Sequence, residues 1–126
     1  KDMANTEEHY DGFVSIDDKK TSGIIYQAVG SERYLVTFHG TGGHSFTGLG
    51  IPNPIHAMGR AIAKISDLQT PKNPKTTFSV GVVNGGTSVN VIAAECSMLV
   101  DMRSVDAEEL EKLSAKLHQA IEEAVN

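Results

Sequence analysis

Residues 95–113 read ECSMLVDMRSVDAEELEKL and join an alternating segment directly to a helical one. Apolar and polar residues alternate through the first half, as in a half-buried β-strand. In the second half, Asp106 and Glu109 have capping-box spacing, and Val105 with Leu110 has the spacing of a hydrophobic staple. The stretch therefore predicts a strand followed at once by an amphipathic helix, whose buried face carries Leu110, Leu113, Leu117 and Ile121.

The segments before this stretch predict further strands and one more helix. Residues 33–39 and 77–83 alternate in the same way, and in the second of these Phe78, Val80 and Val82 are predicted to share one face. Between them, Asn53 and Pro54 form a helix-start signal. The helix stripe that follows comprises Ile55, Met58, Ile62 and Ile65. Residues 24–29 are predicted to form a hairpin with residues 33–39 across a loop at residues 30–32.

This order of elements predicts an α+β fold. We expect a two-layer sandwich in which an antiparallel sheet carries both helices on one face. The pattern resembles a ferredoxin-like unit whose final strand, after the second helix, is missing. Residues 1–23 are polar and are interpreted as a leader, and residues 24–126 as one domain.

Composition narrows the classes of function. With 11 Lys and Arg against 16 Asp and Glu, the net charge of −5 argues against nucleic acid and anionic membrane surfaces as partners. Apolar runs stay far below the ~20 residues of a membrane span. The one cysteine, Cys96, excludes an internal disulfide and favours a cytoplasmic protein. Because the chain opens on Lys1, we expect a piece of a longer protein.

The most unusual segment is a glycine-dense loop at residues 40–52, which surrounds His44. Long loops of this kind tend to carry function. Residues 43–47 are not a nucleophile elbow, because Thr47 stands where that turn needs glycine. No histidine spacing predicts a self-contained metal site. His44 is therefore either a donor to a ligand or an exposed loop residue, and the spacing favours neither.

Two other polar residues have unusual positions. Asn90 follows a second glycine turn and Arg103 ends a strand, and each could hold a carboxylate. Taken alone, an Asx turn for Asn90 and a surface ion pair of Arg103 with Asp101 or Asp106 are the simpler interpretations.

Five short motifs, taken together, are more specific. They are RYLVTFHG at residues 33–40, GGHS at 42–45, NPIHA at 53–57, VNGG at 83–86 with NVI at 90–92, and VDMR at 100–103. In this order and spacing they resemble the dimerisation (lid) domain of the two-zinc exopeptidase family. That family includes glutamate carboxypeptidase, tripeptide aminopeptidase, acetylornithine deacetylase and succinyl-diaminopimelate desuccinylase.

The resemblance implies a homodimeric zinc metallopeptidase or amidohydrolase, of which this chain is the lid. The histidine matching His44 would cross into the partner subunit's active site and stabilise the oxyanion of a peptide or N-acyl amino acid substrate. Residues matching Asn90 and Arg103 would hold the substrate carboxylate. Residues 1–23 would be the end of the parent catalytic domain, where Asp17 matches a zinc ligand.

The other zinc ligands and the catalytic glutamate pair of that family have no counterpart in this chain. Zinc is therefore expected in the parent enzyme, no cofactor is expected in this fragment, and the fragment alone should be inactive. The alternative hypothesis is a free-standing ferredoxin-like domain that binds a small ligand or regulates a partner.

Overall fold

The structure is a computed structural model that describes residues 28–125. The predictions for the leader, for Asp17 and for most of the 24–29 strand lie outside the described residues. The elements, in chain order, are β1 (Gly30–His39), β2 (Gly43–His44), α1 (Pro54–Ser66), β3 (Thr76–Gly85), β4 (Val91–Ile92), β5 (Glu95–Ser104) and α2 (Ala107–Val125).

The main sheet is antiparallel, with β5 at its centre in the order β1, β5, β3. The three long strands follow one another along the chain as β1, β3 and β5, so the last of them lies between the other two in the sheet. This order is compatible with a ferredoxin-like unit that lacks its last strand. A separate two-stranded ribbon pairs β2 with β4. Within residues 28–125 no fourth strand joins the main sheet, so β1 and β3 are its two edges.

The core lies between the sheet and the two helices, as the alternation of β5 predicts. Cys96, Met98, Val100 and Met102 are buried, whereas the residues between them face away from the helices. From the helices, α1 contributes Met58, Ala61 and Ile65, and α2 contributes Leu110, Leu113, Leu117, Ala120 and Ala124. Burial also raises the pKa of the Cys96 thiol. The two-layer α+β architecture is confirmed.

Both helix starts form as predicted. The Asn53 side chain accepts a hydrogen bond from the Ile55 amide at 3.0 Å, and Pro54 occupies the first turn. At the second helix, the Asp106 carboxylate accepts from the Glu109 amide at 3.0 Å. These caps fix the points at which the chain leaves the loop around His44 and leaves the end of β5.

Three local predictions are wrong. Residues 30–32 are not a hairpin loop but the start of β1, where they pair with Ser104, Arg103 and Met102. A β-bulge between Val80 and Val82 reverses the alternation, so Val82 lies opposite Leu99 and is partly exposed rather than buried. On α1, Ala61 is buried and Ile55 is exposed, so the face that packs on the sheet includes the small Ala61 and not Ile55.

Candidate functional site

His44 is held on a built scaffold rather than on a free loop. His44 is the last residue of β2, where it pairs with Val91 of β4. The His44 carbonyl accepts a hydrogen bond from the Gly48 amide at 2.8 Å, which closes a tight turn behind it. A Cβ at Gly48 would lie 2.8 Å from that carbonyl oxygen, so the turn requires glycine. The loop therefore presents His44 in a defined, exposed position.

The imidazole of His44 is also oriented by its own backbone. Its Nδ1 accepts a hydrogen bond from the Phe46 amide at 3.2 Å. An Nδ1 atom that accepts carries no proton, so the neutral ring bears its proton on Nε2. His44 is therefore set up as a hydrogen-bond donor through Nε2, which is the form needed to stabilise a developing negative charge.

Asn90 lies beside His44. Its backbone carbonyl accepts from the Ser45 amide at 3.0 Å, which ties the two loops together. Its side-chain Oδ1 accepts from the Ser88 hydroxyl at 2.9 Å. The amide oxygen thus binds the side chain of Ser88 in the same turn, and the Nδ2 group is the part of Asn90 that can donate to a ligand.

Arg103 lies elsewhere. It is near the end of β5, opposite Ser31 and Thr77 of the two flanking strands. Eight residues of extended chain separate it from Glu95, next to the β2–β4 ribbon, which corresponds to about 26 Å. Its Nε donates to Asp101 at 2.8 Å, so the predicted surface ion pair is present. The structure therefore brings His44 and Asn90 together and leaves Arg103 at the opposite end of the sheet.

The ion pair has the expected effect on both groups. Hydrogen bonds from Arg103 and then Arg33 lower the pKa of the Asp101 carboxyl below its ordinary value. The same contact with Asp101 raises the pKa of Arg103 above its ordinary value. Asp101 and Arg103 are therefore both charged at neutral pH.

Sequence reasoning missed an apolar rim around His44. Phe46, Leu49 and Val89, at the tips of the two loops, are almost fully exposed. A sequence signal existed, since large apolar residues are uncommon in glycine-rich exposed turns. Exposed clusters of this kind are typical of surfaces that are covered in a larger assembly.

A cleft of about 720 Å³ lies under the same loop, between β1, α1 and the end of α2. His39 and His56 lie along it, whereas His44 does not. Arg60 at its margin is engaged with the Ala124 carbonyl at 2.7 Å, which caps the end of α2.

Across residues 28–125, no three His, Cys, Asp or Glu side chains come close enough together to hold a metal ion. The described residues therefore do not fit a zinc site, and Asp17 lies outside them. Neither described helix is long and apolar enough to cross a bilayer.

Known proteins match this chain in sequence and in fold. A family model described as the peptidase dimerisation domain matches residues 26–126. Succinyl-diaminopimelate desuccinylase from Nitrosospira multiformis is 33% identical over 94 residues, which cover 71% of this chain and 25% of the relative. The corresponding protein from Nitrosomonas europaea is 32% identical over 75 residues, which cover 56% of this chain and 20% of the relative.

Solved structures share the fold. An aminobenzoyl-glutamate utilization protein from Klebsiella pneumoniae superposes with a TM-score of 0.71 at 17% identity, covering 82% of this chain and 28% of that one. Aminopeptidase PepT from Bacillus cereus superposes with a TM-score of 0.66 at 21% identity, covering 76% and 26%.

The chain spans about a quarter of the length of these relatives. The family match, however, extends over all of the described residues, and its description implies self-association. The chain therefore belongs to the peptidase dimerisation domain family.

Proposed function

We propose that this chain is the dimerisation (lid) domain of a metal-dependent peptidase or amidohydrolase, and that His44 stabilises the oxyanion in the active site of the partner subunit. The observation that carries the proposal is the way in which the His44 ring is held and oriented. It is exposed and held by a tight turn, and its Nδ1 accepts from the Phe46 amide, which leaves Nε2 as the nitrogen that can donate. Such a preoriented donor suits a carbonyl oxygen that gains negative charge.

The separation of the site residues supports action across two copies. A carboxylate held by Arg103 is not close to His44 of the same copy, since Arg103 lies about 26 Å along β5 from Glu95, which is next to the β2–β4 ribbon that carries His44. The edge strand β3 has no neighbour on its outer side among the described residues. A twofold axis joining β3 to β3 of a second copy reverses the strand direction between copies. It brings the His44 end of one copy to the Arg103 end of the other.

Two apolar side chains near the β3 edge are exposed to solvent in the single chain. Val83 of β3 lies opposite buried Met98, on the helix side of the sheet, yet it is 51% exposed. Ile55 of α1 is also exposed and lies near Gly86, at the end of the same strand. A second copy would bury both, as expected of a homodimer interface.

The substrate class follows from these roles. A zinc-dependent parent would cleave a peptide or N-acyl amino acid, with Asn90 and Arg103 holding its carboxylate. The curated relatives are named for removal of a succinyl group from diaminopimelate, which supports an N-acyl amide. The metal would be bound outside residues 28–125. A free Cys96, buried in the core, supports a cytoplasmic location.

The test is His44→Ala in the full-length parent. Loss of one oxyanion donor should lower kcat by about 10²–10³ while KM changes little, because the donor acts mainly in the transition state. Lys72→Ala, in the exposed turn before β3, is a control that should leave kcat near the parent value. An unchanged kcat in the folded His44→Ala enzyme would favour a small-ligand-binding domain instead.

A further inference from the structure

The face of the main sheet that points away from the helices, its open face, carries one band of apolar side chains. Leu35 on β1 lies directly opposite Leu99 on β5, and Leu99 lies directly opposite Val82 on β3. Cross-strand neighbours on one side of a sheet lie side by side. These three residues therefore form an apolar band across the whole width of the open face.

The β-bulge of β3 places the third member of the band. Val80 pairs with Val100 of β5, which is buried on the helix side of the sheet. Continued alternation would send Val82 to the helix side as well, whereas the register shift between Val80 and Val82 sends it to the open face. Bulges re-aim single side chains in this way, so β3 departs from regular pairing at the point that completes the band.

The apolar band is exposed in the single chain and has polar neighbours on both sides. Its three side chains are between 43% and 67% exposed. The next row toward the His44 end holds Thr37 and Ser97, and the next row toward the other end holds the ion pair of Arg33 with Asp101. An apolar centre within a polar rim is the composition of a surface that another protein body covers.

The dimer arrangement proposed above does not cover the open face. Pairing of β3 with β3 of a second copy adds strands at an edge of the sheet and leaves the open face of each copy uncovered. Two separate chains that met face to face would share a footprint of about 14 Å by about 34 Å, or about 500 Å². A stable interface between separate chains takes about 800 Å² from each partner, so this face is small for a second copy.

The relatives indicate which other body is available. About three quarters of each matched relative lies outside the region that this chain covers. A domain carried by the same polypeptide meets the open face at a high effective concentration, so it needs less apolar area than a separate chain does. Interfaces between domains of one chain are also more polar than those of obligate dimers, which agrees with the polar rows beside the band.

We propose that the open face is the surface of this domain that packs on the catalytic domain of the parent, with the apolar band at the centre of the contact. The identity of the covering domain rests on the function proposed above. The outer side of the helices then stays in solvent, as expected from the exposed charged residues Glu111, Lys112 and Lys116 of α2.

The test uses a cysteine at position 99. Leu99 lies on the central strand, so a strand added at either edge of the sheet leaves its side chain exposed, and only a body on the open face can cover it. The reaction of Leu99→Cys with a maleimide, followed by peptide mass spectrometry, should be at least about tenfold slower in the full-length parent than in the 126-residue chain. Glu111→Cys, on the outer side of α2, is the matched control and should react at the same rate in both proteins.

Each other outcome has a definite meaning. Equal rates for Leu99→Cys in the two proteins would overturn the proposal. A rate that falls as the concentration of the 126-residue chain rises would place a second copy on the open face and overturn it as well. Leu35→Cys repeats the measurement on β1 and should show the same protection if the change on the central strand disturbs folding. His44→Ala in the parent should leave the protection unchanged, so failure of the packing surface is distinguishable from failure of the role proposed for His44.

Discussion

Replacing Val83 with lysine should weaken self-association through the β3 edge. The Val83 side chain is 51% exposed in the single chain, so a partner can bury about half of it. Burial of a whole valine is worth about 2 kcal/mol, and burial of the exposed half is therefore worth about 1 kcal/mol. Because a twofold axis repeats the contact, the dimer loses about 2 kcal/mol, or about 30-fold in its dissociation constant. The lysine charge beside its own copy adds to this loss.

Sedimentation equilibrium over a range of concentrations measures the effect directly. Leu35→Lys is the matched control, since Leu35 is 67% exposed on β1, the opposite edge strand. The Val83 variant should dissociate at concentrations where the original chain and the Leu35 variant remain paired. Equal dissociation constants for the two variants, or a monomeric original chain, would refute the assignment of β3 as the dimer edge.

Three further predictions concern the buried core, the ion pairs of Asp101 and the ring of His44. Leu117→Ala removes a side chain that is 1% exposed and should lower the free energy of unfolding by about 3–5 kcal/mol in urea titrations, whereas Leu99→Ala on the exposed face should cost much less. Because the pKa of Asp101 is lowered in the fold, its ionised carboxylate adds stability above the ordinary carboxyl pKa, and this stability is lost as pH falls through the pKa of the folded state. Asp101→Asn should therefore reduce the fall in the free energy of unfolding that urea titrations measure between about pH 6 and about pH 2. A fall as large as that of the original chain would contradict this. Long-range ¹H–¹⁵N spectra at alkaline pH should show a larger Nε2–H fraction for His44 than for exposed His56, and a reversed order would contradict the Phe46 contact.

Much of the fold could be predicted from short-range patterns. The alternation of β5 and the caps of both helices depend on neighbouring residues, and these predictions are confirmed. The start of β1 was missed because Gly30 resembles a turn residue, whereas pairing with Ser104 draws it into the sheet. The bulge after Val80 depends on the register with β5, which no local pattern specifies.

The candidate site was predictable as a set of residues but not as an arrangement. The glycine-dense context indicated His44, and the ion pair of Arg103 with Asp101 was anticipated. The proximity of Asn90 to His44 requires the β2–β4 ribbon, whose strands are only two residues long and leave no periodic signal. The contact of Arg33 with Asp101 joins residues 68 positions apart and follows only from the strand register.

The most direct test of the account mixes two inactive versions of the full-length parent, one with His44→Ala and one with Arg103→Gln. If His44 serves the partner's active site, a mixed dimer contains one site with an intact histidine and an intact arginine. Equal amounts that exchange subunits freely give half mixed dimers, so activity should return to about a quarter of the original. If His44 served its own subunit, every site would carry a lesion, and a mixture no more active than its two components would contradict the account.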